Sequence, residues 1–161
     1  MRIRLTVGLC AFLLVGSALA TPPTHAATGN SCGWSAQMED DEGGPVMVAS
    51  SCDTDTEYGP VFRLMCGGEI SIRYYGFEME ADLPPTSLVL TSGGKSLDTD
   101  VVYEEMDGAL ASYVALTSPV ISLLKTGDEI AVTLSGVELP SRTVSLAGSS
   151  AAIDKLISDC R

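Results

Sequence analysis

The sequence has a single histidine and none of the short motifs that carry nucleotide or redox chemistry. His25 is the only histidine among 161 residues, and it precedes the first segment with the alternation of a strand. Ser-His-Asp and Cys-His catalytic sites, and metal sites with histidine ligands, need this residue inside the fold. No G-x-x-x-x-G-K-[ST], G-x-G-x-x-G or C-x-x-C motif occurs. We therefore expect no catalytic residue, no cofactor and no metal ion, and predict that the protein is not an enzyme.

Basic residues are also scarce. Nine Lys and Arg residues stand against 21 Asp and Glu residues, which gives a formal net charge of −12. A surface of this sign repels nucleic acid and anionic membranes, so we expect neither as a partner. Excess negative charge keeps an exported protein in solution, and it also attracts a cationic protein. The composition leaves both explanations open.

No uncharged apolar run is long enough to span a bilayer, which takes about 20 residues. The chain opens MRIRLTVGLCAFLLVGSALA, with Arg2 and Arg4 before a short apolar run and small residues at the end. This layout predicts a signal peptide over residues 1–20 rather than a membrane anchor, with cleavage after Ala20 favoured over Ala26. Removal leaves seven basic and 21 acidic side chains, a net charge of −14. Residues 21–31 are small and polar with two prolines, which indicates a flexible arm.

Four cysteines remain after this cleavage, namely Cys32, Cys52, Cys66 and Cys160. An even number of cysteines in an exported chain predicts two disulfides and a periplasmic or secreted location, and the count alone allows three pairings. The segments CGWSAQM and VMVASSC flank EDDEGGP and read as a hairpin. A hairpin centred on Glu42 pairs Met38 with Val46 and Cys32 with Cys52. Opposed Cα atoms lie about 4.5 to 5.5 Å apart, so this register predicts a Cys32–Cys52 bridge.

The rest of the chain predicts more antiparallel strands and two short helices. VFRLMC, Gly67-Gly68 and EISIRYY form the clearest hairpin, because glycine accepts the positive φ angles of a tight turn. Strands are also predicted around TSLVLTS, in the acidic stretch around a turn at residues 106–108, in EIAVTL and in RTVSL. Ser118 and Pro119 begin a helix that ends at Gly127. We predict one β-rich domain over residues 32–161, an antiparallel β-sandwich or strongly curved sheet of seven to nine strands.

The last segment predicts a helix against this sheet. Ile153, Leu156, Ile157 and Cys160 follow Gly148 at the spacing of one helical face, while Asp154 and Lys155 face water. Cys66 shares the apolar face of its strand with Leu64. These inward phases predict a Cys66–Cys160 bridge that pins the C-terminal helix.

The order of these features resembles two families of bacterial envelope proteins. One is the periplasmic accessory family associated with type VI secretion, often called TagO or VasI, and the other is the invasion-associated locus B family. The resemblance lies in Trp34, the Asp40-Asp41 turn, the strand FRLMC and an alternating strand, glycine, Ala-Ile and Leu before the last cysteine. In this sequence the last element comprises Val144, Leu146, Gly148, Ala152, Ile153, Leu156 and Cys160. The resemblance implies a compact β-rich envelope protein with an accessory role and supplies no catalytic residues.

We expect function through contact with another envelope or secreted protein, and a cationic partner fits the charge. The predicted contact residues are acidic and lie in two loops, Glu39, Asp40, Asp41 and Glu42 in the first and Asp53, Asp55 and Glu57 in the second. The second loop begins like a calcium loop, but Tyr58 and Leu64 stand where glycine and a bidentate glutamate are needed.

Two alternatives remain. The first is that the protein is a periplasmic inhibitor of a cationic hydrolase such as lysozyme. An acidic loop would then enter the enzyme's cleft, and salt would weaken inhibition steeply. Otherwise tyrosines of the sheet form the contact surface, although cross-strand packing is their commoner role. The candidates are Tyr58, Tyr74, Tyr75 and Tyr103. Adjacent carboxylates such as Glu104 and Glu105 are usually only solvated, and we expect no acid-base role for this pair.

Overall fold

The computed structural model describes residues 32–52, 59–77, 86–137 and 139–160. The predicted signal peptide and arm, over residues 1–31, lie outside these ranges. The described residues form nine strands and two helices. In chain order these are β1 (Ser35–Asp41), β2 (Gly44–Ser50), β3 (Phe62–Cys66), β4 (Ile70–Tyr74), β5 (Thr86–Ser92), β6 (Lys95–Glu104), β7 (Ala109–Val114), α1 (Pro119–Leu124), β8 (Glu129–Leu134), β9 (Arg142–Ser145) and α2 (Ser149–Asp159).

The strands form one curved antiparallel sheet in the order β1-β2-β3-β4-β7-β6-β5-β8-β9. The long strand β6 joins its two halves, because residues 95–101 pair with β5 and residues 102–104 pair with β7. The two edges of the sheet meet at one corner. The backbone N–H of Trp34 donates to the carbonyl of Ala147 at 2.7 Å, and its indole Nε1 donates to the carbonyl of Ser145 at 2.8 Å. The predicted class, a mainly β antiparallel fold with a curved sheet, is confirmed.

The hydrophobic core lies on the inner face of this curved sheet. Strand side chains alternate between faces, and the apolar rows predicted for β3 and β4 point inward. Phe62, Leu64, Ile70, Ile72 and Tyr74 are all buried there. Leu88, Leu90, Ile130, Val132 and Val144 from the other half of the sheet bury against them. The sheet therefore needs no second sheet, because its own halves and two helices enclose the core.

The register of the first hairpin differs by one residue from the sequence prediction. Met38 lies opposite Met47 rather than Val46, and Asp41 lies opposite Gly44. Only Glu42 and Gly43 remain for the turn, and Gly44 takes up a φ of 109° beside it. A shift of one residue exchanges the two faces of a strand. Met47 and Ala49 consequently belong to the core cluster, and Val48 is buried on the opposite face.

Both predicted disulfides are present. Cys32 and Cys52 lie beyond the last paired residues of β1 and β2, with Cα atoms 5.3 Å apart, so their bridge does not depend on the predicted register. Cys66 at the end of β3 is bonded to Cys160 at the end of α2, with Cα atoms 5.6 Å apart. The second bridge fixes the last helix to β3.

The second hairpin has the predicted strands but a wider turn. Cys66 pairs with Ile70, so three residues form the connection instead of the two glycines alone. Gly67 donates its N–H to the carbonyl of Glu69 at 3.0 Å, and of the two glycines only Gly68 has a positive φ. The inward rows of both strands are as predicted.

The helices begin and pack as their sequences predict. The Ser118 hydroxyl accepts a hydrogen bond from the N–H of Val120 and caps α1, with Pro119 in its first turn. Helix α2 packs on β1, β2 and β3 and buries Ala152, Ile153 and Leu156. Two side chains of its exposed face also make contacts that the sequence did not predict. Lys155 donates to the carbonyl of Ala36 at 2.8 Å, and Asp154 forms an ion pair with Lys125, the C-cap residue of α1.

None of the helices in the described ranges is long and apolar enough to cross a membrane.

Candidate functional site: the acidic hairpin and its groove

The hairpin tip consists of Glu39, Asp40, Asp41 and Glu42, at the end of β1 and in the turn. These four predicted contact residues are adjacent in sequence but differ in environment. Glu39 is half-buried, whereas Asp40, Asp41 and Glu42 are exposed. The other predicted contact loop, with Asp53, Asp55 and Glu57, lies outside the described residues.

Glu39 is engaged inside the protein. Strand alternation turns it to the outer face of the sheet, where its carboxylate forms an ion pair with the guanidinium of Arg63 on β3. The side chains of both residues are 27% exposed. Gln37 also donates a hydrogen bond to the Glu39 carboxylate at 3.4 Å. A partner would therefore have to compete with Arg63 for this carboxylate.

The remaining tip residues present their carboxylates to solvent. Asp41 stabilises the turn, since its Oδ1 accepts a hydrogen bond from the N–H of Glu42 at 2.8 Å. Within the described part of the chain, no Lys or Arg forms an ion pair with Asp40, Asp41 or Glu42. Of the four carboxylates, those of Asp40 and Glu42 have neither an internal cation nor a turn hydrogen bond among the described residues.

A groove of about 520 Å³ lies beside the hairpin tip. One wall is the outer half of the hairpin, with Met38, Pro45, Val46 and Met47. The other wall is the C-terminal end of α2, where Asp159 and the Cys66–Cys160 bridge line the groove. Its volume is within the range of about 300 to 1,000 Å³ that ligand sites occupy. The surface combines an apolar floor with a carboxylate at its rim.

The outer face of the sheet carries a row of charged and aromatic groups. Arg63 on β3 lies directly opposite Arg73 on β4. Arg73 forms ion pairs with Glu104 at 3.2 Å and with Asp107 at 2.7 Å. Burial lowers the pKa of Arg73, but attraction to Glu104 and Asp107, together with smaller contributions from Tyr75 and Tyr113, leaves the pKa above its ordinary value. These cations therefore hold the strands and the β6–β7 turn together.

Tyr75 lies beside these two arginines and is buried. Burial raises its pKa above the ordinary value, while Arg63 and Arg73 act in the opposite direction. Tyr74 is buried in the core, Tyr103 is half-buried, and Tyr58 lies outside the described residues. Tyr74 and Tyr75 therefore pack within the protein rather than form an exposed contact surface.

The exposed tyrosine is Tyr113, which sequence reasoning missed. The residue is 54% exposed, and the same β6–β7 hairpin also exposes Val102 and Met106. Its hydroxyl donates to Glu104, and this hydrogen bond, followed by burial, raises the pKa of Tyr113. The alternation of β7 could have indicated this exposure, because Tyr113 shares a face with Ala109 and Ala111, opposite to the face of Leu110.

The carboxylate pair Glu104-Glu105 has no shared site. Glu104 is held by Arg73 and Tyr113, whereas Glu105 is exposed in the turn. Across the described ranges no group of three or more His, Cys, Asp and Glu side chains is arranged to hold a metal ion. His25 lies outside those ranges.

Comparison with known proteins gives one distant structural likeness. No family model matches the sequence, and no curated protein is significantly similar to it. The crystal structure of invasion associated protein B from Bartonella henselae aligns with 78% of this chain and 92% of its own, at 17% identity and a TM-score of 0.46. That name belongs to one of the two families that the sequence resembles. At this level of similarity neither family membership nor a function carries over.

Proposed function

We propose that the protein is a non-catalytic exported protein of the cell envelope that acts by binding a cationic protein. In this proposal the protein is an accessory factor of secretion or of invasion. The two disulfides fit an oxidising compartment outside the cytoplasm. The observation that carries the proposal is the hairpin tip, where Asp40 and Glu42 project without an internal cation among the described residues.

The hairpin is well suited to present these charges. A two-residue turn closes its end, and the Cys32–Cys52 bridge braces its base. A preorganised loop loses little conformational entropy on binding. Exposed charges at a contact mainly accelerate association and select the partner by sign. The expected interaction is therefore fast to form and sensitive to salt.

The test uses the mature protein as bait for an extract of the cells that produce it. The double variant Asp40→Asn/Glu42→Gln removes two charges from the hairpin tip. The double variant Asp128→Asn/Glu129→Gln removes the same two charges from exposed positions at the start of β8, so it is matched in residue type and net charge. We expect the wild type and the β8 variant to retain a basic protein, identified by mass spectrometry, that the tip variant retains poorly.

Association kinetics with the captured protein complete the test. We expect the tip variant to associate several-fold more slowly, with a smaller change in dissociation, and added salt to reduce the difference. If the tip variant binds like the wild type and binding is indifferent to salt, the hairpin tip is not the contact. The exposed surface around Tyr113 would then take its place.

Inhibition of a cationic hydrolase is the second candidate. The observation that favours it is the narrow, disulfide-braced hairpin with carboxylates at its turn, a shape that can enter an enzyme's cleft. A lysozyme activity assay tests it directly. Inhibition by the wild type and the β8 variant but not by the tip variant would support this candidate, and no inhibition at low salt would exclude lysozyme as the target.

A further inference from the structure

The groove beside the hairpin tip has a floor suited to an apolar side chain. Met38 is 55% exposed and faces Met47 across the hairpin. The Cys66–Cys160 bridge closes one side. Methionine is flexible and polarisable, so a surface built from it adapts to differently shaped apolar groups. The floor can therefore accept aliphatic or aromatic side chains of different shapes.

One carboxylate lines the groove, and a second one lies on the strand beside it. Asp159 lines the groove from α2. Asp40 shares the inner face of the hairpin with Met38, two residues away along β1, and lies opposite Pro45. Among the described residues neither carboxylate has an ion-pair partner.

The C-terminal end of α2 adds to the negative electrostatic potential of the groove. The C-terminus of a helix carries partial negative charge, and cations are the groups it favours. The last turn of α2 has Asp159 and no basic residue. A bound cation would relieve the repulsion between this carboxylate and the helix end.

We propose that this groove binds a basic amphipathic segment of the partner protein. One bulky apolar side chain of that segment packs between Met38, Met47 and the Cys66–Cys160 bridge. Lys or Arg neighbours of this side chain pair with Asp40 and Asp159. The inference rests on the proposed function, since it assumes a cationic partner, and adds that the partner must carry an apolar anchor.

Two peptides of equal charge test the inference on the mature protein at low salt. Lys-Lys-Phe-Lys-Lys carries an apolar anchor and Lys-Lys-Gly-Lys-Lys does not. We expect the first to bind about five-fold or more tightly than the second, because burial of an aromatic side chain adds a favourable apolar contribution. Calorimetry measures the affinities, and backbone amide chemical shifts locate the site at Met38, Met47 and the end of α2.

Three variants separate the two contributions. Met38→Ser should remove most of the preference for the Phe peptide and leave the Gly peptide unchanged. Met106→Ser makes the same substitution at a 92% exposed position in the β6–β7 turn, away from the groove, and should change neither affinity. Asp159→Asn should weaken both peptides by a similar factor. None of these positions belongs to the charge variants that test the hairpin tip.

The outcomes distinguish the inference from the function on which it rests. If both peptides bind equally well and Met38→Ser has no effect, the groove inference is wrong while attraction of cationic partners stands. If neither peptide binds the wild type even at low salt, both proposals fail. Equal loss in Met38→Ser and Met106→Ser would also overturn the inference, because the effect would then not belong to the groove.

Discussion

Four neighbouring carboxylates in this protein have different roles because strand geometry separates them. Glu39 points to the outer face and pairs with Arg63, whereas Asp40 points to the face that carries the groove. Asp41 holds the turn through the N–H of Glu42. A neutralising change at Glu39 therefore tests an internal ion pair, worth at most about 1 kcal/mol at such partly exposed positions. Changes at Asp40 and Glu42 test binding.

Tyr75 gives a prediction about alkaline pH. Burial keeps its pKa above the ordinary value of 10.0, against the opposing effect of Arg63 and Arg73. The folded state thus favours the protonated phenol, so this stabilisation is complete below pH 10 and is lost as the pH rises through the pKa of the folded state. We expect the free energy of unfolding to fall on the alkaline side, and to fall less steeply in Tyr75→Phe.

Urea denaturation at a series of alkaline pH values measures this slope. Tyr103→Phe removes a half-buried phenol from β6 and serves as the control. If Tyr75→Phe retains the full slope of the wild type, the buried phenol of Tyr75 is not its source.

At the scale of elements, the start of α2 depends on one glycine for two separate reasons. Gly148 has a φ of 80°, which side chains of L-residues rarely adopt. A Cβ atom there would also lie 3.2 Å from the carbonyl oxygen of Trp34. This residue therefore allows the helix to begin directly against the segment that joins the two edges of the sheet.

Substitution by alanine separates these two reasons. Gly136 has a nearly equal φ of 78°, but the space that a methyl group would take there is open, with no other atom within 4 Å. Gly136→Ala should cost about 1 to 2 kcal/mol from the backbone alone. Gly148→Ala should cost about 1 kcal/mol more, because the Trp34 backbone must move. Equal losses of stability in urea denaturation would mean that the Trp34 backbone can move away from the added methyl group at little energetic cost.

At the scale of the whole molecule, the curved sheet is closed by contacts between distant parts of the chain. The Trp34 hydrogen bonds join the two edges, helix α2 covers β1 to β3, and Lys155 reaches the carbonyl of Ala36. The Cys66–Cys160 bridge joins residues 94 apart, whereas Cys32 and Cys52 are 20 apart. The longer bridge therefore constrains far more of the unfolded chain.

Removal of each bridge by paired Cys→Ala substitutions tests this difference. The chain-entropy relation gives a loss of about 4.7 kcal/mol for Cys66–Cys160 and about 3.3 kcal/mol for Cys32–Cys52. We expect the midpoint of urea denaturation to fall further without Cys66–Cys160. The reverse order would show that the shorter bridge, at the base of the first hairpin, contributes more than its loop length implies.

Much of the fold could be predicted from the sequence because its causes are local. Alternating apolar residues on both sides of Gly67-Gly68 predict β3 and β4, and Ser118 with Pro119 predicts the start of α1. The helical phase of Leu156 and Cys160 predicts the inward face of α2 and, with Cys66, the second bridge. In each case the determining residues are neighbours in the chain or share a strict period.

The remaining features were decided by tertiary structure. Alternation defines two faces of a strand, but which face of β2 is turned inward depends on its packing against β3, where Ala49 lies opposite the buried Leu64. The pairing predicted for the first hairpin was therefore wrong by one residue. The pairing of Glu39 with Arg63 and the contact of Lys155 with Ala36 join residues 24 and 119 positions apart. The groove arises in the same way, because the hairpin and the end of α2 meet only when the chain has folded. The sequence by itself determined the elements, the cysteine pairing and the acidic hairpin, whereas long-range packing decided which of its carboxylates remain available to a partner.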